Sequence, residues 1–287
     1  MPARVAILCP EECLCDPGGC QVSCDDPSVT AVSLIHLTNV RDLRLYYNNI
    51  TLFERDCFVS RGLTELEILL VFRCGLRTIE LGAFNGLAKL THLLMYDNEI
   101  SEIIPGTFEN MSNLEGLFFG NNGLEHLDSD VFSGLFNLKH IDLEHNKLQH
   151  LHPDTFLGLP NLQHLSLNLN RRLQIPTDRN FIKSHFLSHL SISRCNINSV
   201  SVQTFANISA LEWLSLSHNT LRTVDINILK ALPKVSELYL DDNLLQCDCQ
   251  LQEVWRWCQE HKILTADWGY VPQCDTPSEV EGMGWGC

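Results

Sequence analysis

The chain is short of positive charge. Its 287 residues carry 20 Lys and Arg against 35 Asp and Glu, a formal net charge of −15, and the bases nowhere form a run. A polyanion such as nucleic acid or heparin therefore meets repulsion over most of the surface, with one local basic spot at Arg171, Arg172 and Arg179. Catalytic signatures are missing too. There is no G-x-S-x-G, no H-E-x-x-H, no phosphate-cradling glycine loop and no Cys/His pairing outside the chain's two ends, so nothing points to an enzyme, a metal or a cofactor. Asp142 and Glu144 share one strand face, but a carboxylate pair without a cleft reads as a partner contact. No apolar run approaches the ~18 residues that a transmembrane helix needs. Met1–Leu8 is too short for a secretory signal peptide, as in a mature form or in a segment produced without its leader.

Repetition is what the sequence has in abundance. A Leu-x-x-Leu-x-Leu-x-x-Asn phrase returns nine times, its last slot falling at Asn48, Cys74, Asn98, Asn122, Asn146, Asn170, Cys195, Asn219 and Asn243. The steps are 26, 24, 24, 24, 24, 25, 24 and 24 residues. Leu90-Thr91-His92-Leu93-Leu94-Met95-Tyr96-Asp97-Asn98 shows the physics. A short strand alternates inward Leu93 and Met95 with outward His92, Leu94 and Tyr96. Ile100, Ile103, Phe108 and Met111 supply apolar side chains as the chain returns. One unit alone leaves both apolar ends bare; stacked units bury them and align the strands into a parallel sheet. The Asn amide has donors and an acceptor for backbone groups in the turn that leaves the strand. Cys74 and Cys195 fit that slot as small buried thiols, structural rather than reactive.

Thirteen cysteines are the second signal. Cys9, Cys13, Cys15, Cys20 and Cys24 crowd the front, and Cys247, Cys249, Cys258, Cys274 and Cys287 the back, where a repeat array would expose raw core and sheet edge. Disulfide-stapled caps answer that need in an oxidising compartment. A zinc reading of Cys9-x3-Cys13-x-Cys15 lacks a matching Cys/His pair.

The Cys9-Pro10-Glu11-Glu12-Cys13-Leu14-Cys15 run with Val22-Ser23-Cys24 resembles the N-terminal cap of extracellular leucine-rich repeat proteins. Cys247-Asp248-Cys249-x-Leu251-x-x-Val254-x-x-Trp257 is similar to their C-terminal cap. The resemblance spans nearly the whole chain and looks nearest to the variable lymphocyte receptors, with Slit, the Nogo receptor and Toll-type ectodomains sharing the caps. It implies an α/β fold, a leucine-rich repeat solenoid in the form of a right-handed horseshoe with a concave parallel sheet. The implied organisation is a cap at 1–39, nine repeats at 40–244 and a cap at 245–287. The implied disulfides are Cys9–Cys15, Cys13–Cys24, Cys247–Cys274 and Cys249–Cys287. Cys20, Cys57 and Cys258 fall outside that pattern. A Cys20–Cys57 bridge would tie the cap to the first repeat; the alternatives are free thiols or a bridge to another chain.

Register lists the outward columns. Arg44, Leu70, Leu94 and Phe118 form one over the first four repeats, beside Tyr46, Phe72 and Tyr96, with Tyr47, Arg73 and Asp97 as polar neighbours. If each of four rings exposes half of its ~200 Å², the patch reaches ~400 Å², near the size that marks interaction sites. Stacking between strands is the structural alternative. His92, His140, His164 and His189 share another column, which reads as a solvated position, with a metal or a pH-sensitive contact as alternatives. Sequons at Asn49, Asn110 and Asn207 fit a glycosylated outer surface. In the receptors that the C-terminal cap resembles, a cap loop grips the ligand; Trp268 and Tyr270 suit that role here, or Trp268 covers the ninth repeat. Two functions remain open. One is a secreted or cell-surface immune-type receptor, anchored if a tail follows Cys287, that binds foreign protein or glycan on the concave face. The other is an adhesion or guidance module for an endogenous protein.

Overall fold

A computed structural model describes residues 9, 11, 13–16, 20–29, 39–246 and 248–265. The chain divides into two compact units, Met1–Asp142 and Leu143–Cys287. In the first, β1 (Cys13–Cys15) pairs antiparallel with β2 (Gln21–Cys24), which runs parallel to β3 (Asp42–Tyr46). The short strand β4 (Leu52–Phe53) follows, then β5 (Ile68–Phe72), β6 (Thr78–Ile79), β7 (His92–Leu94), β8 (Gly116–Phe118) and β9 (His140–Asp142). Strands β3, β5, β7, β8 and β9 continue the parallel sheet in register, while β4 and β6 pair separately on the return segments. The second unit repeats the pattern with β10 (His164–Ser166), β11 (His189–Ser191), β12 (Trp213–Ser215) and β13 (Glu237–Tyr239), all parallel. Its return segments carry the short helices α1 (Val202–Phe205) and α2 (Ile226–Lys230), and α3 (Cys249–Glu260) closes it.

The inward positions are filled as the period requires. Leu43 and Leu45, Leu69 and Val71, and Leu93 and Met95 are fully buried. A second layer comes from one phenylalanine per return segment. Phe58, Phe84, Phe108 and Phe132 stack with ring centroids 6.0, 6.1 and 6.3 Å apart. Each such ring contributes about 1.5–3 kcal/mol by leaving water.

What ends the strands is the asparagine slot. Asn98 Oδ1 accepts from the backbone N–H of Cys74 (3.0 Å) and of Leu76 (3.2 Å), and its Nδ2 donates to the Val71 carbonyl at 2.8 Å. Asn219 repeats this on Cys195, Ile197 and Ile192 at 2.9, 3.1 and 2.8 Å. The amide thus serves its own turn and also clamps the preceding repeat. The residue just before the slot lies in the left-handed region in all nine repeats, from Tyr47 (φ 53°) and Arg73 (φ 53°) to His218 (φ 55°) and Asp242 (φ 51°). Four of the nine, Tyr47, Arg73, Leu169 and Arg194, are side chains that do not favour that conformation, which costs roughly 1–2 kcal/mol per residue. In the seven repeats with asparagine in the slot, its bonds hold the turn. Where cysteine takes the slot, only the donor half survives: Cys195 Sγ faces the Leu167 carbonyl at 3.2 Å and Cys74 Sγ the Leu45 carbonyl at 3.5 Å.

The caps work at the sheet edges. Cys9–Cys15 and Cys13–Cys24 are bonded as the resemblance implies, the second pair directly opposed in the β1–β2 register. At the other end, Asp248 caps α3 by accepting from the N–H of Gln250 and Leu251, and the helix buries Leu251, Val254 and Cys258. Leu264 then covers the free edge of β13, exchanging backbone bonds with Leu238 (2.7 Å) and Ser236 (2.8 Å). Cys249, at the start of α3, is described, but Cys247, Cys274 and Cys287 lie outside the described residues. The Cys20–Cys57 bridge is not formed. Cys57 keeps its thiol and faces inward, with Sγ 3.5 Å from the Ala83 carbonyl, whereas Cys20 is exposed on the cap.

Burial pushes four thiols up, Cys74 to about 11 and Cys57, Cys195 and Cys258 to about 12, from an ordinary 9.0. They stay protonated in the fold while the unfolded chain ionises above about pH 9, so stability falls as pH climbs from about 9 towards 11–12. Thermal melts across that range should show the decline, and a Cys57→Ala, Cys195→Ala, Cys258→Ala triple variant should show a shallower one. Urea unfolding tests the amide clamp. Asn219→Ala orphans the Cys195 and Ile197 amides and should cost about 2–5 kcal/mol, while Cys195→Ala should cost about 1–2 kcal/mol.

Candidate functional site

On the solvent face of the first unit, register sets Arg44 beside Leu70, Leu70 beside Leu94, Leu94 beside Phe118 and Tyr46 beside Phe72. The expected apolar column therefore forms. Its centre is Phe72, half-buried between two tyrosines: the Tyr46 ring meets it edge-on at 6.3 Å and the Tyr47 ring at 5.7 Å. The Arg73 guanidinium lies 5.1 Å from the Phe72 ring centroid and donates to Asp97 at 2.8 Å, a pairing that holds it charged. Asn121 bonds the same Asp97 carboxylate from the other side. The Asp42 carboxylate, 2.8 Å from its Nη2, likewise keeps Arg44 charged.

Phe118 and Tyr96 form the far side of the patch, with centroids 5.9 Å apart. Repeat four makes room for them. A Cβ at Gly116 would stand 2.6 Å from Phe118 Cε2, so that ring lies along the sheet over the glycine. Gly120, buried, takes the Tyr96-equivalent position of repeat four, and the Tyr96 hydroxyl reaches past that repeat to Asp142 at 3.4 Å. The rings thus pack on one another and still present edges to solvent. Tyr47, 48% exposed, stands proudest. Stacking and availability for contact coexist in this patch.

Other expected positions fall as follows. Asn49 and Asn110 are exposed and Asn207 is half-buried; Asn49 sits two residues past Tyr47, beside the patch rather than away from the strands. Trp268 and Tyr270 lie outside the described residues. His164 and His189 stack face to face at 4.2 Å, and their row continues through Trp213 and Tyr239, at 6.3 and 5.3 Å. Sequence reasoning missed that row because it took the first outward column for drift of a polar position; Trp213 in register with His189 was the available signal. The His218, Asp241, Asp242 group is the cluster of metal-ligand type among the described residues. Arg194, which can only donate, meets His218 Nε2 at 3.3 Å, so Nδ1 carries the proton that faces Asp242 at 3.0 Å.

A leucine-rich repeat model matches residues 64–124, 114–171 and 186–245, together more than half of the sequence. The chain belongs to the leucine-rich repeat family. Among curated proteins, it is 28% identical to nephrocan of Mus musculus over 101 residues, 34% of this chain but 19% of the relative. The chain spans about a fifth of that relative's length. Among solved structures, human 5T4 (trophoblast glycoprotein) superposes with a TM-score of 0.68 at 24% identity, covering 96% of both chains. The structure of an octameric complex of latrophilin 3, Unc5D and FLRT2 contains a chain that matches with a TM-score of 0.61 at 24% identity, over 91% of this chain and 71% of that one. These likenesses establish a leucine-rich repeat solenoid with a parallel sheet.

Because the inward positions are filled by other residues, the patch rings are dispensable to the core. A Phe72→Ala, Tyr96→Ala double variant should lose cross-strand packing, about 1 kcal/mol per ring pair, with the Arg73–Phe72 contact and the long Tyr96–Asp142 bond, and melt within several degrees of the parent. Differential scanning calorimetry measures this directly. A fall of about 15 °C or more would mean that the rings are core.

Proposed function

We propose that the chain is an extracellular recognition module that binds a protein partner through the apolar patch on the first unit's sheet face. The observation that carries this reading is the Phe72 assembly: a ring held by two tyrosine edges and an arginine that Asp97 has already ordered. Aromatic and Arg side chains held rigid before contact are the composition of interface hot spots. Two disulfides in the N-terminal cap support an oxidising, extracellular setting, and nothing in the repeats offers catalytic chemistry.

An endogenous partner, as in adhesion or guidance, is the favoured reading. A chain of this fold takes part in the complex of FLRT2 with Unc5D and latrophilin 3. Recognition of foreign surfaces, as the likeness to variable lymphocyte receptors implies, is the second reading, and the segment with Trp268 and Tyr270 would supply its lateral grip. Surface plasmon resonance of the purified chain against a panel of host ectodomains, run beside whole bacteria and their cell-wall fractions, separates the two. The expected result is saturable binding to a host ectodomain, weakened about tenfold or more by Phe72→Ala with Tyr96→Ala. Undiminished affinity in the double variant removes the patch from the account, and binding confined to the bacterial fractions favours the second reading.

A further inference from the structure

The second unit carries its ring row beside Ser166, Ser191 and Ser215 on the sheet face, but the flank where the strands turn away carries charge of one sign. Residues 145–151, 169–176, 194–200 and 218–224 are the strand-ending turns of repeats five to eight. They contain no Asp or Glu, in a chain that has 35. Their bases are Lys147, Arg171, Arg172, Arg194 and Arg222, all exposed. The equivalent turns of repeats three and four hold Asp97, Glu99, Glu102 and Glu125 instead. Hydrogen bonds join the four basic turns side by side. The Gln174 N–H donates to the Gln149 carbonyl at 2.9 Å, Asn196 Nδ2 to the Arg171 carbonyl at 3.1 Å and the Thr220 N–H to the Ile197 carbonyl at 2.8 Å. Three spacings of ~4.8 Å make the flank ~14 Å long. Asp242, in the next turn, ends it.

Repeat six concentrates the charge. Lys147 alone separates Asn146 from Leu148, whereas Arg171 and Arg172 both stand between Asn170 and Leu173, which gives this repeat its step of 25 residues. The Leu173 N–H donates to the Asn170 carbonyl at 3.0 Å, closing a tight turn with the two arginines at its centre. Gln174 then falls back into register on Gln149. Among the described residues, none of the five bases lies in an ion pair. Arg194 turns to His218 Nε2, at 3.3 Å. By contrast, Arg73 and Arg77 of repeat two each sit 2.8 Å from a carboxylate, Asp97 and Glu99. In the first unit the turn cations are matched within the fold; in the second they are not.

We propose that this flank is a second interaction surface, which binds an acidic segment of a protein partner. The reading of the first unit's ring patch neither supports nor requires it. Three features select this partner. The guanidinium forks of Arg171 and Arg172 match carboxylates, which they can grip with two parallel hydrogen bonds. An extended peptide advances ~3.3 Å per residue, so about four residues of Asp and Glu cover the ~14 Å flank. Gln149 and Gln174, adjacent along it, offer amide donors and acceptors for the peptide's backbone. A long sulfated glycan fits less well, because it would run on past the flank to Asp242. The net charge of −15 is no obstacle, since charges more than about 8 Å away are largely screened at physiological salt.

The test is fluorescence anisotropy of the full chain with a labelled octapeptide of alternating Glu and Asp, at low and at physiological salt. Saturable binding that weakens as salt rises is expected, and the matching octapeptide of Gln and Asn should not bind. Arg171→Gln with Arg172→Gln should weaken binding about tenfold or more, and Phe72→Ala should leave it unchanged. If circular dichroism shows that the double variant does not fold, Lys147→Gln should weaken binding severalfold. No binding of the acidic peptide overturns the proposal. So does binding that Lys147→Gln and a folded double variant both leave unaltered, or that Phe72→Ala abolishes. A heparin hexasaccharide, titrated in parallel, covers the other polyanion: tighter binding than the peptide's, lost in the double variant, would assign the flank to sulfated glycans and overturn the proposal.

Discussion

One interaction governs the rest of the structure: the asparagine amide that, in seven of the nine repeats, closes the strand onto the chain before it. Its oxygen accepts backbone N–H groups of the preceding turn, and its nitrogen donates to the preceding strand's carbonyl, as Asn122 does to Ile100 and Met95 at 3.1 and 2.8 Å. Buried backbone groups left unpaired there would cost about 1–3 kcal/mol each. The clamp also maintains the left-handed residue before it. In the sixth repeat that residue is Leu169, which does not favour the conformation by itself. Local strain is thus held by tertiary bonds, and it projects a side chain along the edge of the sheet face in every repeat.

With turn geometry constant, the inward and outward positions are uncoupled. Inward residues are apolar throughout, from Val71 to Phe119 at one equivalent position, and the packing around each sets the cost of changing its volume. Outward residues answer only to solvent, so each unit carries its own chemistry on the same scaffold. The first gathers rings and leucines around Phe72, fixed by the Arg73–Asp97 pair. The second sets a ring row beside serines. The glycines of repeat four show the limit of the uncoupling: the Phe118 ring lies flat only because Gly116 has no Cβ.

Periodicity in the sequence was enough to assign the strands, the two faces and the residues that become neighbours across strands, because a period of two decides direction. The N-terminal disulfides were legible through resemblance and are bonded as implied. Periodicity does not say how a side chain lies once it points outward. The tilt of Phe118 over Gly116, the reach of Tyr96 to Asp142 and the His164–His189–Trp213 row depend on rotamers and on the size of a neighbour two residues away. Cys57 was misread for a related reason. Counting cysteines near the cap pairs it with Cys20, whereas its place beneath Ala83 turns the thiol into the core. The left-handed column was missed: Asp97, Asn121, His145, His218 and Asp242 are of types enriched in that conformation, but Tyr47, Arg73, Leu169 and Arg194 carry no signal for it.

Hydrogen exchange followed by NMR tests the clamp most directly. The amides of Leu76, Ile100, Leu148, Ile197 and Leu221, each bonded to an asparagine oxygen of the following repeat, should exchange only through unfolding of their unit, with protection equal to that of the inward strand amides. Exchange of these five as fast as that of exposed turn amides would contradict the account, since the left-handed turns and the side-chain columns they set would then need another cause.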